Sequence, residues 1–239
     1  MVVPVQLVRA TTGCPRRAGV PPNDSPRSST RSARSRPREG AAARVVVVCG
    51  PSGAGKSRLC ERLTQRHGWP IVRLDDFYLD GDDPRLPIGQ LGIPDWDDPA
   101  SWDLVGAVAV LAELVHTGSA RLPVYDISAS RRVGEHELQA RPTDYVLAEG
   151  IFAAEAIAVL RQEGLLADAW CVCRDPRLTF WLRLARDLRE HRKPPLTLWR
   201  RGLLLKRQEP EVIARQRRLG ATPLTPRRAE SRAEALARR

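Results

Sequence analysis

Short, continuous apolar runs recur along the middle of this chain. Four consecutive valines follow Arg44 and lead to Cys49. Similar runs lie at residues 69–74, 145–150 and 169–173. Runs of this length that are rich in β-branched residues are typical of strands that a parallel sheet buries on both faces. The pattern therefore predicts several parallel strands, the first of them at residues 44–49.

Apolar residues with helical spacing occupy the segments between these runs. An amphipathic helix is predicted to begin at residue 58, a second one covers residues 102–116, and a strongly basic one covers residues 177–190. Residues 121–126 have the pattern of an edge strand that leads into a returning segment. Alternation of strands and helices predicts a three-layer α/β fold with a mainly parallel sheet and helices on both faces.

The first predicted strand leads directly into a glycine-rich loop. The sequence of this loop is Gly50-Pro51-Ser52-Gly53-Ala54-Gly55-Lys56-Ser57. Its spacing, between a strand and a helix, is that of a phosphate-binding P-loop. The backbone N–H groups and the Lys56 ammonium would surround a polyphosphate, and the Ser57 hydroxyl would ligate Mg²⁺ at the start of the helix. A nucleoside triphosphate with Mg²⁺ is therefore the predicted ligand.

Acidic residues stand where two of the predicted strands end. Asp75 and Asp76 follow the run at residues 69–74, and Glu149 closes a later run. The carboxyl ends of parallel strands form the ligand-binding edge of such a sheet, so these carboxylates are expected near the P-loop. Glu149 is the predicted Walker B-type acid at the metal. The long polar segment at residues 79–100 is predicted to be an active-site loop.

The net charge of +11 is concentrated at the two ends of the chain. Residues 1–43 and 215–239 each contain eight arginines and two acidic residues, which leaves residues 44–214 almost neutral. We therefore predict an Arg/Ser/Pro-rich disordered extension at residues 1–43, a folded P-loop domain at 44–214 and a basic tail at 215–239. An organelle transit peptide is an alternative for the leader. The neutral core argues against nucleic acid as the partner.

Composition excludes several other classes of protein. No apolar stretch is long enough to span a membrane and no secretory signal opens the chain, so a cytoplasmic protein is expected. The five cysteines and four histidines are scattered without the spacing of a zinc site. The sequence leaves the oligomeric state open, a homo-oligomer included. Phosphate chemistry is the class of function that remains.

A set of motifs in this order resembles the uridine kinase family of P-loop nucleoside kinases. Besides the P-loop, the matching segments are Asp75-Asp76-Phe77-Tyr78, Trp96-Asp97-Asp98-Pro99, Pro123-Val124-Tyr125-Asp126, Glu149-Gly150 and Arg183-Leu184-Ala185-Arg186-Asp187. The resemblance covers residues 44–195. It implies a P-loop kinase fold with a basic lid helix, and transfer of the ATP γ-phosphoryl group to the hydroxyl of a small acceptor, as a phosphotransferase with an alcohol acceptor.

The resemblance also implies roles for single residues. Asp75 matches the family aspartate that acts as base on the nucleoside 5′-hydroxyl, and a carboxylate is what this chemistry needs. Asp76, in place of the usual serine, is a second candidate. Asp97 matches the aspartate that holds the ribose hydroxyls, and Tyr78 and Tyr125 match aromatic positions around the nucleoside. These residues are the predicted acceptor site.

One position departs from the family pattern. Ser130 stands where the family has a histidine that contacts the pyrimidine edge, whereas Arg132 matches the family arginine two positions later. A serine is shorter and uncharged, so it must recognise the base differently or the acceptor is another molecule. A pantothenate kinase-like or phosphoribulokinase-like enzyme is therefore an alternative, and a nucleic-acid-binding or regulatory ATPase is a third.

The basic helix at residues 177–190 resembles the family lid. Arg183 and Arg186 lie about one turn apart on one face of it and would neutralise the charge that develops on the transferring phosphoryl group. Together with Asp75 and Lys56, these arginines complete the predicted catalytic set.

Overall fold

The computed structural model describes residues 44–89, 92–189 and 195–238. The predicted disordered extension at residues 1–43 lies outside these residues. The strands are β1 (Val45–Cys49), β2 (Ile71–Arg73), β3 (Ser119–Asp126), β4 (Arg131–Gln139), β5 (Val146–Glu149), β6 (Leu166–Val172) and β7 (Thr222–Leu224). The α-helices are α1 (Lys56–His67), α2 (Leu104–Thr117), α3 (Ile157–Gln162), α4 (Pro176–Arg189), α5 (Pro195–Arg218) and α6 (Pro226–Ala237).

The main sheet has five strands in the order β2-β5-β1-β6-β7, and all its strand pairs are parallel. The predicted three-layer α/β fold with helices on both faces is confirmed. Val48 lies opposite Glu149 on one side and Trp170 on the other. Because β1 is central, the loop that follows it emerges between the carboxyl ends of β5 and β6.

Strand β1 is buried on both faces, as its four valines predict. Val45 and Val47 belong to the apolar core on one side of the sheet, which α2 and α3 cover. Val46 and Val48 belong to the core on the other side, which includes residues of α1 and α6. The alternation of side chains along a strand therefore supplies both cores from one short segment.

Strands β3 and β4 form a separate antiparallel hairpin outside the main sheet. The predicted edge strand and returning segment are these two strands. Val124 and Val133 are exposed, and β4 has exposed residues along nearly its whole length. The hairpin packs through β3 onto α2 and onto the short 3₁₀ helix Leu74–Phe77. It therefore stands beside the carboxyl end of β2.

The prediction of a basic tail at residues 215–239 is wrong for the residues that the structure describes. Strand β7 pairs with β6, and α6 packs on α1 with Ala229, Ala233 and Leu236 buried. Arginine-rich composition concealed this element, because two of its four buried residues are alanines, which give a weak apolar signal. The kinase domain therefore extends to the end of α6, beyond the predicted boundary at residue 214.

Ion pairs also run from α6 to the body of the domain. The two glutamates of α6 pair with arginines of α1, and Arg232 of α6 pairs with an aspartate of β6. These pairs are Arg62–Glu230 at 2.5 Å, Arg66–Glu234 at 2.6 Å and Arg232–Asp168 at 2.6 Å. The basic charge of this segment is thus partly engaged within the fold. None of the described helices is both long enough and apolar enough to cross a membrane.

Candidate active site

The P-loop has the backbone conformation that its glycines permit. Gly50, Gly53 and Gly55 have φ angles of 138°, 82° and 94°, a region that other residues rarely adopt. Gly50 also passes close to β6, because a Cβ placed on it would lie 2.3 Å from the carbonyl oxygen of Val172. The loop therefore needs glycine at this position for both conformation and space.

Replacing Gly50 by alanine is expected to destabilise the domain by about 3 kcal/mol, since it adds a backbone collision to the strain of a positive φ angle. Gly164 is the matched control, because it has a φ of 69° and a Cβ placed on it would meet no atom of the described residues within 4 Å. Gly164→Ala should cost about 1 kcal/mol. Chemical denaturation measures both values, and equal losses would contradict this account of Gly50.

Two cationic side chains lie against the P-loop. The Lys56 ammonium donates to the carbonyl oxygen of Gly50 at 3.0 Å, which places the lysine across the loop. Arg174, just after β6, donates from Nε to the carbonyl oxygen of Ala54 at 3.0 Å. Arg174 was not among the site residues predicted from the sequence. Its position at the carboxyl end of a parallel strand was the available signal.

Ser57 and Glu149 meet beside the loop. The Ser57 hydroxyl donates to Glu149 Oε1 at 3.3 Å. Glu149 is only 7% exposed, and burial raises the pKa of its carboxyl group while nearby Lys56 lowers it. In the part of the chain that the structure describes, no three His, Cys, Asp or Glu side chains form a metal cluster. A hydroxyl and one carboxylate nevertheless fit Mg²⁺, which commonly takes few protein oxygens and completes its shell with phosphates and water.

The neighbouring aspartates after β2 face different parts of the domain. Asp75 Oδ1 accepts a hydrogen bond from the backbone N–H of Ile151 at 2.9 Å, at the end of β5. Asp76 is half-buried, and burial raises its pKa against the opposing effects of the Tyr125 backbone and Arg73. The carboxylate of Asp75 thus lies on the P-loop side of the strand end, while Asp76 faces the hairpin.

The two predicted tyrosines contact each other and the loop at residues 79–100. Their ring centroids are 6.0 Å apart, and Tyr78 also lies 5.9 Å from the ring of Phe152. The Tyr78 hydroxyl donates to the carbonyl of Trp96 at 3.3 Å, and the Tyr125 hydroxyl donates to that of Leu79 at 2.9 Å. Both hydroxyl groups therefore hold the loop that carries Asp97.

Ser130 and Arg132 contact the beginning of the same loop. Ser130 has a φ of 50°, and its carbonyl accepts from the N–H of Gly81 at 2.6 Å. The backbone N–H of Arg132 donates to Asp80 Oδ1 at 2.8 Å, and its guanidinium donates to Asp103 Oδ2 at 3.2 Å. These contacts tie the hairpin to the loop. The role of both residues in acceptor binding stays a prediction.

A cleft of about 230 Å³ begins at the P-loop, and we call it the P-loop cleft. Its lining includes Ser52, Asp97, Ile151, Phe152, Glu155 and Arg215. The cleft thus joins the phosphate loop, the predicted acceptor residue Asp97 and the peptide that holds Asp75. Glu155 and Arg215 are additions that the sequence analysis missed, because Arg215 lay in the segment predicted to be a tail.

The predicted lid arginines lie on α4 by their backbone positions. The side chains of Arg183 and Arg186 are outside the described part of the structure. Their predicted contact with the transferring phosphoryl group therefore stays a prediction.

Comparison with known proteins finds a family model and several kinases that match parts of this chain. Residues 45–117 match the model of an AAA domain. A uridine kinase from Clostridium tetani is 26% identical over 149 residues, which cover 61% of this chain and 68% of that protein. A cytidylate kinase from Granulibacter bethesdensis is 30% identical over 196 residues, which cover 80% of this chain and 87% of that protein.

Two further matches concern only part of a protein or the fold alone. The inorganic pyrophosphatase TTM2 of Arabidopsis thaliana is 31% identical over 110 residues, but this chain spans only 15% of its length. The structure of D-glycerate 3-kinase from Cryptococcus neoformans matches with a TM-score of 0.50 and 17% sequence identity, over 72% of this chain and 79% of that one. This likeness shows the fold.

The parallel sheet, the P-loop and the acidic strand ends define the class of P-loop nucleotide-binding proteins. Within that class, the relatives place the chain among small-molecule kinases. The chain belongs to the P-loop kinase family that includes the uridine kinases.

Proposed function

We propose that this protein transfers the γ-phosphoryl group of ATP to a hydroxyl group of a small acceptor, the 5′-hydroxyl of uridine or cytidine. The P-loop cleft is the observation that carries this proposal. It joins Ser52 of the phosphate loop to Asp97 and to Ile151, whose N–H holds Asp75. A phosphoryl donor and a hydroxyl acceptor can therefore meet beside a carboxylate.

The donor half of the site needs little more than positioned charge. Lys56 and the P-loop N–H groups would hold the phosphates of ATP, and Arg174 would keep the loop in shape through the Ala54 carbonyl. Ser57 and Glu149 would hold Mg²⁺, which when bound neutralises charge on the phosphates. The Ser57 hydroxyl and Glu149 Oε1 lie 3.3 Å apart, and this proximity supports the pairing.

The acceptor half depends on Asp75 and Asp97. Asp75 would orient the acceptor hydroxyl and accept its proton, in a direct transfer without a covalent enzyme intermediate. Asp97 would accept hydrogen bonds from neighbouring hydroxyl groups of the acceptor. Tyr78 lies near both aspartates, since burial raises its pKa and both aspartates add to the effect. Its neutral hydroxyl remains available to hold the loop.

A second candidate is phosphorylation of a different acceptor by the same machinery. The longer alignment with a cytidylate kinase favours a nucleoside monophosphate, and Ser130 lacks the imidazole of the family histidine. The pantothenate kinase-like and phosphoribulokinase-like alternatives use the same donor site. These candidates differ from the first in the charge of the acceptor, which an assay can vary directly.

An acceptor panel tests the proposal. The purified full-length protein is incubated with ATP and Mg²⁺ and with uridine, cytidine, cytidylate, pantothenate, glycerate or a sugar phosphate, and acceptor-dependent ADP release is measured. Turnover with uridine or cytidine is the expected result. Turnover only with another compound would replace the acceptor, and none with any of them would favour a regulatory ATP-binding protein.

A further inference from the structure

An ion pair lies in the P-loop cleft away from the residues assigned to chemistry. Arg215 of α5 and Glu155, in the 3₁₀ helix Ala153–Ala156, are 2.7 Å apart, with side chains 46% and 22% exposed. Both side chains line the cleft. An exposed pair of this kind contributes little to stability, so packing alone gives no strong reason for it.

The residue expected to contact the acceptor base is engaged elsewhere. The Ser130 hydroxyl faces the carbonyl of Ile127 in its own turn, at 3.5 Å, and its backbone carbonyl is bound to Gly81. Among the residues that the structure describes, Ser130 is not one of those that line the P-loop cleft. Recognition of the part of the acceptor remote from the reacting hydroxyl must therefore come from other side chains.

We propose, building on the function proposed above, that Arg215 and Glu155 bind the end of the acceptor remote from the hydroxyl that is phosphorylated. The guanidinium group donates hydrogen bonds only, and the carboxylate accepts them only. Held side by side, they match a ligand edge that presents a hydrogen-bond acceptor next to a hydrogen-bond donor. The carbonyl and N–H of a uracil ring form such an edge, and so do the ring nitrogen and amino group of cytosine.

The charges in the cleft favour a neutral acceptor. Asp97 and Glu155 are acidic, and Arg215 is already paired with Glu155. An acceptor that carries a phosphate or carboxylate group would meet like charge at Asp97 and Glu155. The pair therefore selects nucleosides over nucleotides and hydroxy acids.

Steady-state kinetics with Arg215→Met and Glu155→Gln test this inference. Both variants should raise KM for uridine at least about tenfold, because each leaves a polar group of the acceptor without its charged partner. KM for ATP should stay within about twofold of wild type, because the two side chains are paired with each other and not with the P-loop cations. Arg215→Lys, which keeps the charge, should recover part of the loss.

Arg232→Met is the matched control. Arg232 forms an ion pair of similar length and exposure with Asp168, where α6 packs on β6. Its removal should leave both KM values unchanged. Thermal melting of all four variants shows whether they are folded. If Arg215→Met does not fold, the conservative Arg215→Lys variant still allows the test.

Comparison of uridine with a methylated analogue tests which edge of the base is bound. Wild type should discriminate between uridine and 3-methyluridine, which lacks the ring N–H, and Glu155→Gln should reduce that discrimination at least about tenfold. If the folded Arg215 and Glu155 variants had the wild-type KM for uridine, the inference would be overturned. Wild-type turnover with uridine would in that case still support the proposed function. Absence of wild-type turnover with every nucleoside would overturn both.

Discussion

Asp75→Asn is expected to lower kcat about 10³-fold, because the amide cannot accept the proton of the attacking hydroxyl. That loss corresponds to about 4 kcal/mol of transition-state stabilisation. The amide oxygen can still accept from the N–H of Ile151, so the strand end should keep its geometry. KM for ATP should change little. Single-turnover measurement of phosphoryl transfer, with ATP binding measured separately, distinguishes chemistry from binding.

Asp76→Asn is the control for this substitution. Asp76 is adjacent in sequence and is half-buried toward the hairpin, where the Tyr125 backbone opposes the rise in its pKa that burial causes. Its replacement should reduce kcat less than about tenfold. A larger loss for the Asp76 variant than for the Asp75 variant would exchange the roles of the two neighbours. Equal losses would show that neither carboxylate alone accepts the proton.

Ala233→Asp is expected to destabilise the domain by about 4 kcal/mol, since it places an unpaired charge in the interface between α6 and α1. Ala233 is fully buried in the apolar core on that side of the sheet. For a domain of this size the loss corresponds to a fall in Tm of about 10 °C. Thermal and chemical denaturation of the full-length protein give both quantities.

Ala235→Asp provides the comparison on the same helix. Ala235 is exposed, so the same change of side chain there should alter the free energy of unfolding by less than about 0.5 kcal/mol. If both variants melted with wild type, α6 would not be a structural part of the domain. If both lost stability equally, helix propensity rather than burial would be the cause.

The sequence predicted best where long apolar signals and special residues coincide. The four valines of β1 and the glycines that follow them allow only a buried strand and a phosphate loop, and the structure contains both. The run that ends at Glu149 was also predicted correctly. In the structure it forms β5, which pairs with β1. In these segments local propensity and tertiary packing favour the same structure.

Prediction failed where the contacts that define an element are distant in sequence. Strand β7 has three residues, one of them proline, and it exists only because β6 is beside it. Helix α6 lies in an arginine-rich segment, and two of its four buried residues are alanines, so composition alone did not identify it as part of the core. Residues that approach the cleft from α5, such as Arg215, could be assigned to the site only after this packing was known. Tertiary context decides such cases.

The choice between Asp75 and Asp76 illustrates the same limit within the site. The sequence placed both at the end of β2 but could not say which one faced the P-loop. The direction of each side chain follows from the 3₁₀ turn that begins at Leu74, and from the N–H group that β5 presents to Asp75. Neither feature has a sequence signature of its own.

The packing of α6 on α1 has a consequence for the order in which the protein is made. Helix α1 begins with Lys56 and Ser57, which would bind the nucleotide phosphates and Mg²⁺. It packs against α6, which is synthesised much later. Domains fold as units during synthesis, and this one lacks part of its core until α6 has left the ribosome. Stable ATP binding should therefore arise only after α6 has emerged, and not while the earlier strands are being made.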